Sequence, residues 1–315
     1  MHWTTKTAVL ALAFVQLVGC RDATVAPAPE PALSLAGDMQ VERPRVDVTT
    51  WEDQTTTIPL DVVTPEAASN IGPGSAIVIT IPDEGRFGCT ANFVWSAGGR
   101  RYLGAAGHCF LPTDRAATHG PGADYDASGV VVQVCVEDCE GNFRTNLLVG
   151  TWVTLGKVAY ARQTFAGEDV GNDFGIVEIP KQVRDLIRLE LPVWGGPNGV
   201  ETLETGDYAC HYGHGLGVGE VFPTKARIGV GGGSDDDAWM GDFAGSFGDS
   251  GSPLVGCVND GVGSFEGTGA IGVLTHLGVG FDESSVEHGV IFGTTTARAI
   301  EMAREAGLRL SLVLP

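Results

Sequence analysis

Short apolar runs separated by glycine-bearing turns constrain the fold of this chain more than any other feature of its sequence. Such runs cover residues 75–81 and 129–134 and recur as far as residues 290–292. Apolar runs of this length, bounded by turn residues, are typical of β-strands. Residues 296–306 instead have helical spacing before Gly307, which predicts one C-terminal helix. Together these patterns favour an all-β double barrel or sandwich.

The first twenty residues resemble an export signal. Lys6 precedes an apolar stretch from Ala8 to Val18, which is too short to span a bilayer comfortably but suits a signal peptide. The sequence LVGC that ends at Cys20 resembles the bacterial lipoprotein processing box, which implies lipid on Cys20 and a membrane anchor. The alternative is ordinary cleavage near Ala23 and secretion. Either way, the chain is expected outside the cytoplasm, as a cell-envelope lipoprotein or a secreted protein.

Residues 21–65 are rich in Ala, Pro, Thr and acidic side chains. Such a composition is typical of linkers, and it predicts a flexible tether or pro-segment with little packed structure. The formal net charge of the whole chain is −20, which argues against a nucleic-acid partner because phosphate binding needs clustered Lys and Arg.

Seven cysteines are present, and lipid on Cys20 would leave six. An even number of cysteines in an exported chain predicts disulfides, although the sequence alone permits every pairing of the six. Zinc is less favoured, because the paired CxxC knuckles of zinc sites are missing from the sequence. We therefore predict three disulfides.

Three segments contain residues suited to nucleophilic catalysis. They are AAGHC at residues 105–109, GNDFGIV at 171–177 and GDSGSP at 248–253. A serine hydroxyl needs a neighbouring base and an anion site to act as a nucleophile, and flanking glycines let the backbone present N–H groups to an oxyanion. Each segment taken alone is more often a structural turn.

Together the three segments resemble the motifs of chymotrypsin/trypsin-like serine peptidases. The order His, Asp, Ser matches that family and differs from that of α/β-hydrolases and subtilisins. The resemblance extends from about Gly74 to the C-terminus. It implies a peptidase domain over residues 66–315, with two antiparallel six-stranded barrels at about 74–183 and 191–292 and a helix at about 296–306.

The resemblance also implies roles for individual residues. Ser250 is the nucleophile, His108 the general base and Asp173 the residue that orients His108, while the N–H groups of Gly248 and Ser250 form the oxyanion hole. The expected substrates are proteins or peptides, and the protein is expected to be a monomer without a cofactor. A non-catalytic surface-binding protein on a peptidase scaffold, and an esterase with the same triad, are the alternatives.

The family's disulfides imply the pairs Cys89–Cys109 and Cys210–Cys257, which leave Cys135–Cys139. Asp249 is an open case. In the family this residue often pairs with a new N-terminus after activation, for which Ile71-Gly72 is a faint candidate, but a structural role is equally compatible with the sequence.

The substrate pocket should include Ala244, Thr275, His276 and Leu277. Relatives that cleave after Lys or Arg have Asp where this chain has Ala244, which argues against that preference, and Asp242 is two residues away. Leu277 replaces a Gly that admits large side chains, so a small apolar P1 residue is expected. His276 leaves a glutamate preference open, because glutamate-specific relatives have a nearby pocket His.

Two polar clusters suggest metal sites, but a solvated loop or structural role is favoured for both. Asp235–Asp237 could bind calcium through oxygen ligands. His211 and His214 could bind zinc, but a third ligand at familiar spacing is missing from the sequence nearby. We predict no metal.

Overall fold

The computed structural model describes residues 40–112, 115–142, 146–164, 170–215, 224–279 and 289–315. The predicted signal peptide and Cys20 lie outside these residues. Strands dominate the described chain, and an α-helix lies near its C-terminal end. The predicted all-β double barrel with a C-terminal helix is confirmed.

The strands of the N-terminal half include several very short ones. In chain order they are β1 (Gln40–Glu42), β2 (Val46–Asp47), β3 (Glu52–Thr57), β4 (Ala76–Ile81), β5 (Gly85–Thr90), β6 (Val94–Ala97), β7 (Arg100–Ala105), β8 (Ala117–His119), β9 (Val131–Asn142), β10 (Leu147–Thr154), β11 (Val158–Gln163) and β12 (Phe174–Ile179). A short helix, α1 (Pro65–Ala68), precedes β4.

The C-terminal half has longer strands and the main helix. They are β13 (Tyr208–Tyr212), β14 (Ala226–Ser234), β15 (Ala238–Phe243), β16 (Pro253–Asn259), β17 (Phe265–Val279), β18 (Gly289–Thr295), α2 (Thr296–Glu305) and β19 (Ser311–Leu312).

The first barrel consists of two six-stranded sheets. One has the order β2-β5-β4-β9-β10-β3 and the other β19-β6-β7-β12-β11-β8, and all pairings are antiparallel except the parallel pair β10–β3. Alternate residues of β4 point into the core, as the pleat of a strand requires; these are Ile77, Ile79 and Ile81. Apolar residues from both sheets form one core, which joins the sheets into a barrel.

The second barrel is a closed ring with the order β17-β16-β13-β14-β15-β18, because β18 also pairs with β17. β15 shows how its sequence builds the interior. Trp239 and Phe243 are buried whereas Asp242 between them is exposed, so the strand alternates between core and solvent. The end of β17 extends past its pairing with β16, and there it pairs with β1.

The described part of the predicted tether differs from the prediction. Residues 40–57 form β1, β2 and β3, which pair with β17, β5 and β10 respectively. Val46 and Val48 of this segment are buried. The sequence of β3, EDQTTT, lacks apolar alternation, so its strand structure comes from pairing with an existing edge and not from local preference. Residues 21–39 of the predicted tether lie outside the described residues.

The C-terminal helix α2 begins where the sequence predicts and ends at Glu305. The Thr295 hydroxyl oxygen accepts a hydrogen bond from the N–H of Arg298 at 3.1 Å, which caps the helix. Ala299, Met302 and Ala303 pack into a core shared with Trp95. Among the described residues, no helix has both the length and the apolar character needed to cross a membrane.

Three disulfides are present, two within the first barrel and one within the second. They join Cys89 to Cys109, Cys135 to Cys139 and Cys210 to Cys257, the pairs that the resemblance implies. The first bridge fixes the turn after β7 to β5, and the third joins β13 to β16 in the second barrel.

Candidate active site

His108 lies in a single 3-10 turn just after β7 and is 1% exposed. The preceding residue must be glycine, because a Cβ at Gly107 would lie 1.9 Å from the carbonyl oxygen of Arg162 on β11. Cys109 follows directly and is tied by its disulfide to β5. The end of the strand, the close approach to β11 and the disulfide therefore fix the backbone on which the imidazole is mounted.

Asp173 is the residue before β12 and is fully buried. Its carboxylate accepts two hydrogen bonds from His108, one from the backbone N–H at 2.9 Å and one from Nδ1 at 2.6 Å. Its own N–H donates to the hydroxyl oxygen of Thr294 at 3.1 Å, and that hydroxyl donates to the Asp173 carbonyl at 3.0 Å. Thr294 belongs to β18, so the second barrel holds the acid that the first barrel contributes.

Ser250 completes the array from the turn before β16. Its Oγ lies 2.7 Å from Nε2 of His108, and its carbonyl accepts a hydrogen bond from the N–H of Thr90 at 2.8 Å. The arrangement uses both ring nitrogens when Nδ1–H donates to Asp173 and Nε2 accepts from the serine hydroxyl. The structure thus brings together the three residues that the sequence motifs single out.

The two titratable groups of the array have perturbed pKa values. Burial lowers the pKa of His108 below its usual 6.5, although the carboxylate of Asp173 opposes that change. Burial alone would raise the pKa of Asp173, but the charge and hydrogen bond of His108 outweigh it and hold that pKa well below its usual range. A neutral imidazole beside an ionised carboxylate can accept a proton from the serine hydroxyl.

Gly248 presents its N–H two residues before Ser250. This N–H donates a hydrogen bond to the backbone carbonyl oxygen of Pro44. Gly248 has φ of +99°, and a Cβ there would lie 3.0 Å from the carbonyl oxygen of His214. Only glycine fits this backbone well. The second predicted donor, the N–H of Ser250, belongs to the same turn.

Asp249 is held by a side chain that the sequence motifs do not reveal. Both oxygens accept hydrogen bonds of 2.7 Å from the Arg227 guanidinium, and the N–H groups of Ser246 and Gly215 add two more at 2.8 and 2.7 Å. The pair is buried. The carboxylate therefore has a full set of partners without a new N-terminus, and Ile71, the faint candidate for that terminus, is itself fully buried in the first-barrel core.

One signal could have pointed to Arg227. It is an arginine within the glycine-rich strand β14, whose interior faces a barrel core. A buried arginine needs an acidic partner, and the buried Asp beside the serine is the nearest candidate in the motif set. The sequence does not give the distance between the two.

Three of the predicted pocket residues, Thr275, His276 and Leu277, are buried. Leu277 is 5% exposed and packs in the second-barrel core with Ile291. A Cβ at Gly245 would lie 2.9 Å from Leu277 and 2.8 Å from Ile291, so these side chains fill the space beside that glycine. The carbonyl of Ala244 accepts a hydrogen bond from Nε2 of His211 at 2.9 Å. The side chain of Asp242 is exposed on the outer face of β15.

His276 lies close to His108. It is buried, its Nδ1 lies 2.8 Å from the Thr275 hydroxyl oxygen, and its ring centroid is 6.4 Å from that of His108. Burial lowers the pKa of His276 to about 3. The ring is therefore neutral near pH 7.

The two clusters considered for metals have other partners. His211 donates to a backbone carbonyl as described above, and burial lowers the pKa of His211 to about 4 and that of His214 to about 3. One oxygen of Asp235 accepts the N–H groups of Asp237 and Ala238, which closes a turn. Within the described ranges, no group of three or more His, Cys, Asp or Glu side chains is arranged to hold a metal.

Comparisons with known proteins give solved structures only, since no family model and no curated protein matches the chain. Thermobifida fusca Protease A is 16% identical with a TM-score of 0.41, covering 77% of this chain and 99% of that one. Cellulomonas bogoriensis chymotrypsin is 16% identical with a TM-score of 0.39 over the same shares. A glutamic acid-specific serine protease with a histidine triad in substrate binding is 17% identical, with a TM-score of 0.39, over 77% of this chain and 100% of that one. These likenesses concern the fold alone.

Proposed function

We propose that this chain is an exported serine endopeptidase in which Ser250, His108 and Asp173 act as nucleophile, general base and orienting acid. One observation carries the proposal. A buried, continuous hydrogen-bonded array runs from Asp173 through His108 to Ser250, with distances of 2.6 and 2.7 Å. Beside it, the N–H of Gly248 already binds a peptide carbonyl oxygen.

The chemistry follows from this arrangement. Ser250 attacks the scissile carbonyl carbon while Nε2 of His108 takes the hydroxyl proton, and His108 then gives that proton to the leaving amine. Asp173 holds Nδ1–H and stabilises the imidazolium that forms in between. The N–H of Gly248 and the N–H of Ser250 stabilise the oxyanion, and one such donor is worth about 3–4 kcal/mol in a related site. Water then hydrolyses the acyl-enzyme by the same steps.

The expected P1 residue is small and apolar, and not Lys or Arg. Ala244 offers no carboxylate, and Leu277 with Ile291 narrows the space beside Gly245. Glutamate at P1 is the competing hypothesis because of His276. The buried ring of His276 is neutral near pH 7 without a bound carboxylate, so recognition of glutamate would require the ring to take up a proton on binding.

Export is supported by the N-terminal residues and by the three disulfides, which persist in oxidising compartments. Lipid on Cys20 would anchor the protein to a membrane of the cell envelope, and without it the protein would be secreted. The proposed substrates are proteins or peptides, and the proposed state is a monomer. The proposal includes no cofactor, metal or nucleic acid.

The second candidate is a non-catalytic surface-binding protein on the same scaffold. Cleavage-site mapping on a mixed peptide library, with the parent beside Ser250→Ala, separates the two candidates. We expect covalent labelling of Ser250 by a fluorophosphonate in the parent only, and we expect any peptide cuts to come from the parent only, after small apolar residues. If neither protein cuts and Ser250 is never labelled, the binding protein is the better reading. Labelling without peptide cuts favours a latent precursor or a very narrow substrate.

A further inference from the structure

Residues 40–47, here called the cleft segment, cross the candidate active site. We propose that the cleft segment binds there as a substrate-like peptide, with Pro44–Arg45 at the position of the scissile bond, and keeps the full-length chain latent. The inference rests on the proposed function. The inference names the peptide that occupies the proposed active site. It also names the event that activity requires, which is the departure of that peptide.

The first part of the cleft segment lies along the predicted pocket wall. β1 pairs antiparallel with the end of β17, and Glu42 lies opposite Leu277. An extended peptide that adds a strand to an open edge gains backbone hydrogen bonds whatever its side chains are. This edge is therefore a binding surface for extended peptides, and β1 covers it.

The centre of the cleft segment lies at the catalytic residues. The carbonyl oxygen of Pro44 accepts the hydrogen bond from the N–H of Gly248, the group proposed to bind the oxyanion. Pro44 is buried, and its small apolar side chain is of the class expected at P1. With this carbonyl in the oxyanion hole, the Pro44–Arg45 bond is the one presented to Ser250.

The last part of the cleft segment is anchored on the other side. Val46 of β2 pairs antiparallel with Gly88 of β5 and is buried in a cluster with Val78 and Trp152. The guanidinium of Arg45 donates to the carbonyl oxygen of His108 and, at 2.9 Å, to that of Leu111.

The polarity is that of one continuous peptide. The chain pairs with β17 before the proline carbonyl and with β5 after it, and both pairings are antiparallel. Another peptide that uses the same two edges and the same N–H of Gly248 cannot bind at the same time. Because the cleft segment is covalently attached, its effective concentration at the site is high, and a free peptide competes poorly.

Anchoring on both sides explains how a peptide in this position blocks the site. If Ser250 Oγ forms an ester with the Pro44 carbonyl carbon, the C–N bond breaks and His108 passes the serine proton to the Arg45 nitrogen. That amine stays in place because Arg45 and Val46 are held by the contacts above. Its attack on the ester restores the peptide bond and the serine hydroxyl, in competition with hydrolysis.

The charges of the cleft segment act in the same direction. Nε of Arg43 lies 3.9 Å from Oδ2 of Asp173. Burial is the main cause of the lowered pKa of His108, and the carboxylate of Asp173 opposes it. The positive charges of Arg43 and Arg45 lower that pKa further. A lower pKa makes the imidazolium harder to form, and that cation is needed to deliver a proton to the leaving amine. Departure of the segment removes both positive charges.

The test measures how fast diisopropyl fluorophosphate labels Ser250 in the full chain. Val46→Asp places a charge where Val46 is 4% exposed and should release the cleft segment. Arg45→Ala removes the contacts to two backbone carbonyls and serves if the first variant folds poorly. The control, Val262→Asp, makes the same change at a residue that is 87% exposed in the turn between β16 and β17.

We expect both segment variants to be labelled about tenfold faster than the parent or more. The free energy gained by burying a valine side chain is large enough to change the fraction of molecules with the cleft segment bound by that factor. The control should match the parent. If parent, control and both variants are labelled equally fast, the cleft segment does not block the site, and the proposed function stands without this inference. If Ser250 reacts in none of them even after prolonged incubation, the proposed function fails and this inference fails with it.

Discussion

Replacing Arg227 by leucine should destabilise the protein strongly, because the substitution leaves the buried carboxylate of Asp249 without a counter-charge. Asp249 accepts two hydrogen bonds of 2.7 Å from Arg227 and two from backbone N–H groups. Hydrogen bonds to charged groups contribute about 1.5–3 kcal/mol each. Breaking one side of a buried ion pair costs about 3–5 kcal/mol. Both routes give a similar loss, and we expect the free energy of unfolding to fall by about 3–5 kcal/mol.

The assay is urea unfolding at pH 7 and pH 5, with Arg100→Leu as the control. Arg100 pairs with Glu178 at 3.0 Å on the surface, its side chain is 64% exposed, and such pairs contribute only about 0–1 kcal/mol. Catalytic activity of Arg227→Leu should also fall, because Asp249 lies between Gly248 and Ser250. A loss for Arg227→Leu no larger than that of Arg100→Leu would refute the view that the Arg227–Asp249 pair stabilises the turn that contains Gly248 and Ser250.

The stability difference between the parent and Arg227→Leu should depend on pH in a definite direction. Arg227 and the other partners hold the folded pKa of Asp249 below its usual 3.8, against the effect of burial. In the parent, the stabilisation from Asp249 is therefore present above about pH 4 and is lost as the pH falls through the lower folded pKa. In Arg227→Leu, burial without the cation raises the pKa of Asp249. That variant should regain stability between pH 7 and pH 5, and its deficit against the parent should narrow.

Two further predictions concern the triad and the disulfides. In a background with the cleft segment released, such as Val46→Asp, Asp173→Asn should lower kcat by about 10⁴-fold, because an amide leaves His108 in the wrong tautomer. In the same background the acid limb of kcat/KM should lie below pH 6.5, since burial lowers the pKa of His108. A limb above that value would contradict the geometry. Replacing both Cys210 and Cys257 by alanine should cost about 4 kcal/mol in urea unfolding, against about 2 kcal/mol for the bridge within β9, because the closed chains span 47 and 4 residues.

The sequence predicts those parts of the molecule whose structure depends on local features. The apolar runs give the strands of both barrels, and Thr295 and Gly307 bracket the C-terminal helix. The three catalytic candidates could be found because each lies in a short, distinctive segment. Their common location follows from the fold that the resemblance implies, since they are far apart in the chain.

The parts that sequence reasoning missed depend on contacts between distant segments. Residues 40–57 are polar and rich in threonine, and they form strands because three sheet edges are available to them. Arg227 reaches Asp249 across the second barrel. Thr294, which holds Asp173, lies in a strand of the other barrel. In each case the preference of the segment is weak and the partner decides the structure.

The cleft segment links substrate binding to the protection of strand edges. The end of β17 and the outer side of β5 are open edges without β1 and β2, and open edges pair readily with other chains. A peptidase needs such edges to bind extended substrates, whereas a precursor with both edges free is prone to unwanted pairing. Covering both edges with the chain's own residues 40–47 meets the two requirements one after the other, because the segment that protects the edges is the one whose departure we propose to open the site. It follows that release of the segment should raise catalytic activity and also expose the edges of β17 and β5. The form with the segment released should therefore be less stable, and associate with itself more, than the form with the segment bound.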